Sequence, residues 1–495
     1  MLHLSLSHLP SIALTAATLL GAGIASEDAP LDAGKNSELH GAGAAGLAEP
    51  APAAAALVRD PIDQRELDRV LREIKRDVER MRGRRFQRPV QARLLSAAAY
   101  AELARERLLG DEDEDDGEGR RRMHARETAA RLLGLIPPGM DLVGTITEVM
   151  EASASGFYDD ENDTVWLVEG LDSRTARLLL VYELTHALND QLYGFHERLD
   201  ELAHSEDETN ALLAVAEGSA NAALVEWLRE HRDEYSTSVE LPGLQTEAMR
   251  MAPEVVWMPS VCTVMRGTTF LLRTSREMDM FRGTPTRRDL QRAFVDPPSS
   301  TEQILHPEKY WNEERLDRPQ RVGFSARELP DGWQVLHEDT LGELGMNLFT
   351  TPLAQRSGID LANPTAPLRV RYTNAPARGW AGDRYVLLGH GAGRLLVSVS
   401  RWDSAEDTVE FYDALEGVRP NVLENTLQSC IEVAPRGSSP GCLSGTFASR
   451  DDRRLECLFA SWYGVDERDV DEVIDTLSWG RTAGGPQATL DPEGD

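Results

Sequence analysis

Lysine is nearly absent from this chain of 495 residues, which contains only Lys35, Lys75 and Lys309. Arginine supplies the other basic side chains, and 52 basic residues stand against 83 acidic ones, so that the formal net charge is −31. A surface this acidic repels nucleic acids and anionic membranes, because both carry a high density of negative charge. We therefore expect no nucleic-acid partner and interpret the charge as a well-solvated surface.

Cysteine is also scarce, and its spacing excludes one kind of site. The four cysteines are Cys262, Cys430, Cys442 and Cys457, and none of them forms the closely spaced CxxC pair of a structural zinc site. In an oxidising compartment, a disulfide would join two of the three C-terminal cysteines, whereas buried free thiols are the alternative. The sequence leaves both arrangements open.

Long apolar runs are missing apart from one near the N-terminus, between Leu9 and Leu20. This run is too short for a membrane-spanning helix, and the small residues Gly23 and Ala25 follow it in a spacing that suits signal peptidase. We predict a signal peptide over residues 1–26, export to the periplasm or the extracellular space, and no integral membrane span after its removal. Residues 27–58 lack apolar periodicity and predict a disordered linker.

Helical spacing of apolar residues then dominates the chain up to about residue 320. Leu67 to Met81 predict a first helix, and after a break at 83–89 a second helical stretch runs through Leu109. Residues 156–168 predict a β-hairpin with a polar turn. Two further helices are predicted, from Thr175 to about Tyr193 with Asp172 or Ser173 as the N-cap, and from about Glu208 to Glu230.

From residue 321 onward, short β-patterned segments alternate with helices. The predicted strands cover 368–372, 384–388 and 395–399, with others near 442–447 and 455–459, and the predicted helices cover 404–415 and 467–477. The fold class is therefore α+β, with a mainly helical domain at 59–320 that contains an edge hairpin, a separate α+β domain at 321–483 and a tail at 484–495. The second domain contains no nucleophile–base pair or phosphate loop, so we interpret it as a binding or packing module.

The segment Tyr182-Glu183-Leu184-Thr185-His186 has the spacing of a zinc-peptidase helix with one change. In an HExxH motif, two histidines four residues apart bind the metal from one helix face, and the glutamate beside the first polarises the metal-bound water. Glu183 occupies the general-base position and His186 the second-ligand position. Tyr182 stands where the first histidine belongs.

A candidate third ligand, Glu217, lies thirty-one residues after His186, in a small apolar helix. Nothing about helix formation requires an acid there, and the neighbouring Gly218 lowers the helix propensity by about 1 kcal/mol relative to alanine. Gly218 and Ala220 would permit another helix to approach closely. Asn221, one turn further on, is a candidate for orienting a ligand or contacting substrate.

These two segments resemble the gluzincin-type HExxH peptidases of exported bacterial proteins. That family has the pattern His-Glu-Leu-Thr-His-Ala-Leu-x-Asp-Gln followed by Glu-Gly-x-Ala, and this chain matches it from Glu183 to Gln191 and again from Glu217 to Ala220. The similarity covers roughly residues 65 to 310. It implies a zincin fold, in which the edge strand of the hairpin binds an extended peptide beside the metal helix.

The tyrosine leaves three interpretations open. In the first, zinc is lost and the fold persists as a pseudopeptidase, because tyrosine is a poor neutral ligand with an ordinary pKa of about 10. In the second, zinc is retained by the Tyr182 phenolate, or by His196 or His204 in place of the lost histidine. In the third, the motif is a coincidence in an ordinary core helix.

The corresponding functions are equally distinct. A degenerate metallopeptidase would bind peptides or proteins through the old cleft, an active zinc (Zn²⁺) metallopeptidase would cleave them with an atypical ligand set, and a structural envelope protein would do neither. His306, in a Leu-His-Pro setting, is a further candidate for substrate binding. A histidine that caps a turn is the alternative for it.

Overall fold

The computed structural model describes residues 60–109, 117–152, 155–235, 247–326, 329–356, 358–360, 363, 366–433 and 443–481. The predicted signal peptide, linker and C-terminal tail therefore lie outside the described residues. The fold is α+β. Its α-helices are α1 Gln64–Arg82, α2 Ala97–Leu109, α3 Glu118–Leu132, α4 Leu142–Ala152, α5 Ser173–Tyr193, α6 Phe195–Glu201, α7 Glu206–Glu230, α8 Glu247–Met251, α9 Glu254–Leu271, α10 Arg287–Val295, α11 Thr301–Leu305, α12 Glu308–Trp311, α13 Gly342–Thr350, α14 Ala405–Val433 and α15 Glu467–Thr476.

The strands form three sheets within the described residues. They are β1 Gln91–Leu95, β2 Gly156–Asp159, β3 Thr164–Val168, β4 Val322–Ala326, β5 Trp333–Asp339, β6 Trp380–His390, β7 Gly393–Trp402, β8 Ser444–Asp451, β9 Glu456–Tyr463 and β10 Leu477–Arg481. The first sheet has the order β1-β3-β2, β4 pairs with β10, and the third sheet has the order β5-β6-β7-β9-β8. The predicted hairpin is confirmed as β2 and β3, which pair antiparallel and leave β2 at an edge.

Capping residues mark the ends of the helices that carry the motif residues. Asp172 accepts a hydrogen bond from the backbone amide of Thr175 at 2.8 Å and caps α5, and Gly194 ends it with a left-handed φ of 59°. Ser205 caps α7 in the same way. Both helices are buried on nearly every side, because their sequences are apolar all round.

Three predictions about secondary structure are wrong in detail. Residues 91–95 form β1, parallel to β3, so the second helix begins only at Ala97. Residues 368–372 form no strand, because Pro367 begins a 3-10 helix there. The predicted helix at 404–415 continues to Val433 through Gly417 and Pro420, because Val418 and Val422 extend its buried face.

Helices α7 and α9 cross at close range through two glycines. A Cβ atom on Gly218 would overlap the backbone of Gly267 in α9, and one on Gly267 would overlap the carbonyl oxygen of Ala214 in α7. Asn221 fixes the same crossing by donating to the Thr268 hydroxyl at 2.8 Å. The prediction that Gly218 permits another helix to approach closely is confirmed.

Replacement of Gly218 tests this crossing. We expect Gly218→Ala to lower the free energy of unfolding by about 1–3 kcal/mol, because the added methyl group must push two backbones apart. Gly417→Ala is the matched control, since Gly417 lies in helix α14 with nothing within 4 Å of an added Cβ atom. That control should be neutral or stabilising by about 0.5–1 kcal/mol. Chemical denaturation measures both, and equal effects would contradict the close crossing.

Hydrogen bonds connect the chain on the two sides of residue 320, where we predict a domain boundary. The Asn425 side chain in α14 donates to the carbonyl oxygen of Ile136 at 2.8 Å, and the Ser461 hydroxyl in β9 donates to that of Leu132 at 2.7 Å. The Arg384 guanidinium in β6 donates to the carbonyl oxygen of His204 at 2.9 Å. The domain boundary stays a prediction. Buried apolar side chains from both sides of residue 320 belong to the same hydrophobic core.

Two smaller features complete the fold. Cys430 forms a disulfide, whereas Cys262 and Cys457 are buried free thiols. Among the described helices, α7 is long and apolar enough to cross a membrane by length and composition, but 94% of the relevant window is buried inside the protein. Such burial is typical of a core helix.

Candidate functional site

Helices α5 and α7 bring together the residues that the degenerate motif predicts. Tyr182, Glu183 and His186 lie on α5, and Glu217 lies on α7, which packs against α5. All four side chains are buried, with exposed fractions between 0 and 4%. A charged cluster in such a place requires partners, because burial without hydrogen bonds costs several kcal/mol.

Glu217 interacts with both of the other candidate ligands. The Tyr182 hydroxyl donates a short hydrogen bond to Glu217 Oε2. His186 Nε2 lies 3.6 Å from Glu217 Oε1, beyond hydrogen-bonding distance, and the Tyr182 and His186 rings meet edge to face with centroids 5.0 Å apart. The tyrosine therefore lies beside the other two candidate ligands and is bound to one of them.

The pKa of Tyr182 is raised well above its ordinary value of 10. Burial is the largest cause, followed by the charge of Glu217, the hydrogen bond to Glu217 and the charge of Glu183. A phenolate at this position is therefore strongly disfavoured by the protein's own residues.

Glu183 lies deeper in the same cluster. Its pKa is raised well above 4.5, first by burial and then by the charge of Glu217, while the backbone amide of Tyr158 in the edge strand β2 opposes the rise. Apart from this interaction with Tyr158, neither carboxyl oxygen of Glu183 has a hydrogen-bond partner in the described part of the chain. A protonated carboxyl group cannot serve as the general base of a peptidase.

As they stand, these residues do not fit a catalytic zinc ion. Such a site needs three protein ligands and an open position for water, and each ligand must offer a lone pair to the metal. Here the hydroxyl of Tyr182 is a donor to Glu217, so only His186 and Glu217 remain as ordinary ligands.

The two histidines proposed as replacements have other contacts. His196 Nδ1 lies 3.0 Å from Asp190 Oδ1, and its ring stacks against Phe195. His204 is half-buried, and its Nδ1 lies 3.0 Å from the carbonyl oxygen of Glu201. Neither belongs to a group of three metal-binding donors within the described ranges.

Asn221 and His306 also have partners outside the cluster. Asn221 donates to Thr268 in α9, and not to Glu217 or His186. His306 Nε2 lies 3.0 Å from Glu343 Oε1, which also accepts a hydrogen bond from Thr373. His306 follows the last residue of α11, and through Glu343 it contacts α13.

The motif contains structural residues that our sequence interpretation left without a role. The buried guanidinium of Arg82 in α1 donates to Asn189 Oδ1 at 2.5 Å and to the Ser219 hydroxyl at 2.8 Å, and so joins α1, α5 and α7. The side-chain oxygen of Gln191 accepts hydrogen bonds from the backbone amides of Gln87 and Arg88, at 2.8 and 3.0 Å. Asn189 and Gln191 lie in the segment from Glu183 to Gln191 that matches the family pattern, and this position was the sequence signal for their structural role.

A second acidic cluster surrounds Lys309, far along the chain from the motif. The ammonium group lies 2.6 Å from Glu302, 2.9 Å from Asp317 and 3.3 Å from Asp403. Among the described residues, these three acids are the one group of His, Cys, Asp or Glu with the spacing of a metal site. The lysine already supplies the positive charge that such a group needs.

The comparisons with known proteins concern a different part of the chain. Residues 332–429 match the family model described as a domain of unknown function, DUF8575. The match runs from β5 through most of α14 and includes neither α5 nor α7. No curated protein and no solved structure matches the chain.

Proposed function

We propose that the protein is an exported zincin-like pseudopeptidase, in which a buried hydrogen-bonded cluster replaces the metal centre. The observation that carries this proposal is the hydrogen bond from the Tyr182 hydroxyl to Glu217. It links the position of the first zinc-ligating histidine to the position of the third ligand, so the phenol satisfies a carboxylate that zinc would otherwise bind. The raised pKa values of Tyr182 and Glu183 support the same conclusion.

The arrangement of the surrounding elements supports the zincin-like part of the proposal. The motif helix α5 and the Glu217 helix α7 pack together, and the antiparallel hairpin β2–β3 contacts α5. Strand β2 is at the edge of its sheet, and its Tyr158 backbone lies beside Glu183. This is the order of elements that the resemblance implies.

Without catalysis, the function we propose is binding of peptides or proteins. An edge strand can accept an extended peptide through main-chain hydrogen bonds. All four residues of β2 are buried, so such a peptide would have to approach along the backbone edge of this strand.

One observation favours a second candidate, an active zinc metallopeptidase with an atypical ligand set. His186 Nε2, Glu217 Oε1 and both oxygens of Glu183 are buried with no hydrogen-bond partner in the described residues. Several such atoms in one cluster are what an ion or a water molecule would satisfy.

Metal analysis of the full chain, purified without chelators, separates these candidates. We expect far less than one zinc per chain, the same value for Glu217→Ala, and no hydrolysis of an unfolded protein substrate. Labelled unfolded peptides should bind without being cleaved, as followed by fluorescence anisotropy. One zinc per chain that disappears in both Glu217→Ala and His186→Ala would establish the second candidate instead.

A further inference from the structure

A large cavity lies between α9, α13 and residues 366–378. Its volume is about 1070 Å³, and none of Tyr182, Glu183, His186 and Glu217 lines it. One wall comes from the mainly helical part of the chain and the other from the part that matches the domain of unknown function. Cavities of this size at the junction of two parts of a fold are typical of small-molecule sites.

Three arginines on the cavity lining are without counterions. Arg369, Arg371 and Arg378 are exposed, and their side chains form no ion pair or hydrogen bond with the described residues. This is unexpected in a chain with a net charge of −31, in which arginines such as Arg384 and Arg401 pair with glutamates. Free guanidinium groups bind carboxylates and phosphates, often with two parallel hydrogen bonds.

Apolar and aromatic side chains lie elsewhere on the cavity lining. Trp257 and Met258 come from α9, Tyr372 comes from the arginine-bearing segment, and Trp257 is 3% exposed. Three acids, Glu254, Glu277 and Asp360, also line the cavity. The Trp257 indole N–H has no acceptor among the described residues. The Arg266 guanidinium lies 5.2 Å from the centre of the Tyr372 ring and pairs with Glu277 at 2.8 Å, so its charge is already balanced.

The arginine-bearing segment is held in place by hydrogen bonds to α13. Asn347 donates to the carbonyl oxygen of Arg371 at 3.3 Å, and Asn374 donates to the Thr350 hydroxyl at 3.0 Å. Thr373 donates to the buried Glu343. A wall fixed in this way loses little conformational entropy when a ligand binds.

We propose that this cavity binds a small amphipathic anion, with a carboxylate or phosphate at the arginines and an aliphatic or aromatic body against Trp257, Met258 and Tyr372. The site stands on residues other than those of the proposed pseudopeptidase centre, and it requires neither zinc nor catalysis. The arginines select the sign of the charge, and the apolar wall selects the body of the ligand.

Isothermal titration of the full chain with decanoate tests the proposal. We expect saturable binding of one decanoate, at least tenfold weaker binding of decanol and decyltrimethylammonium, and at least a tenfold loss in Arg369→Ala/Arg371→Ala. A tenfold loss corresponds to about 1.4 kcal/mol, within the range for hydrogen bonds to charged groups. Decyl phosphate in parallel shows whether a phosphate or a carboxylate is preferred.

Two controls make the result decisive. Arg453 is an exposed arginine in the β8–β9 turn that does not line the cavity, so Arg453→Ala should bind decanoate like the native chain. Decanoate should change the tryptophan fluorescence of the native chain, and Trp257→Phe should abolish that change. Equal binding of decanol and decanoate, an unaffected double variant, an equal loss in Arg453→Ala or a full fluorescence change in Trp257→Phe would each overturn the proposal.

Discussion

Tyr182→His should create a zinc site of the usual two-histidine, one-glutamate kind. Residue 182 lies one helical turn before His186 on α5, so two imidazoles would face Glu217, which contacts both positions. Loss of a supporting residue alone weakens zinc binding by about 10- to 100-fold, so a gained ligand should raise the affinity by more than 100-fold. Equilibrium dialysis followed by elemental analysis should show about one zinc per chain.

Matched variants separate a new ligand from a merely disturbed core. Tyr182→Phe keeps the ring, removes the hydroxyl that Glu217 accepts, and should bind no zinc. It should also lower the free energy of unfolding by about 1–3 kcal/mol, because a buried acceptor loses its donor. Tyr182→His combined with Glu217→Ala should lose the metal again. A folded Tyr182→His variant that binds no zinc would refute the zincin-like arrangement of α5 and α7.

Lys309→Met should be among the most destabilising single changes in the chain. The carboxylate of Glu302 is buried, and the lysine ammonium at 2.6 Å is the cation it contacts. Removal of one member of a buried ion pair typically costs about 3–5 kcal/mol, because the other charge stays in the interior. We expect the loss to approach that size only above pH 8, where Glu302 is ionised, as measured by urea denaturation at pH 9.

The loss should shrink as the pH falls. Burial raises the pKa of Glu302 to about 8, and Lys309 opposes that rise. Without the lysine, the pKa of Glu302 in the folded variant rises further, so the variant loses stability relative to the native chain only at a pH where the native Glu302 ionises. That difference begins near pH 8, grows as the pH rises above 8, and vanishes towards pH 5, where Glu302 is protonated in both folded chains.

The other described lysine provides the control. Lys75 lies 4.8 Å from the centre of the Phe86 ring and has no buried acid as a partner. Lys75→Met should therefore cost about 1 kcal/mol or less at either pH. Glu302→Gln in the Lys309→Met background should recover much of the lost stability, since it removes the unpaired charge. A Lys309→Met loss that does not change between pH 5 and pH 9 would contradict this account.

The candidate cluster could be predicted from the sequence because helical spacing alone places its members. Residues 182, 183 and 186 share a helix, and an acid among small apolar residues at 217 requires a buried partner. The direct hydrogen bond between Tyr182 and Glu217 could not be predicted, because it depends on how α5 packs against α7. Neither could the pairing of His306 with Glu343, which joins residues from two separate parts of the fold.

The fold was predictable where a pattern is local. The hairpin β2–β3 and the N-cap of α5 follow from short sequence signals, and they agree with the structure. Strand β1 was missed because it pairs in parallel with β3, and such a pairing has no turn to mark it. The cavity arginines were also missed, because their lack of counterions becomes visible only when all neighbouring acids are placed.

The order β5-β6-β7-β9-β8 has a consequence for the boundaries of the matched segment. The segment at 332–429 ends before β9, although β9 pairs along nearly the whole of β7. A chain cut to the matched residues would leave β7 as a bare strand edge of Val, Leu and Ser, and such edges recruit other chains into aggregates. The segment that the family model matches is therefore shorter than the segment needed to complete the sheet, which extends at least to Tyr463.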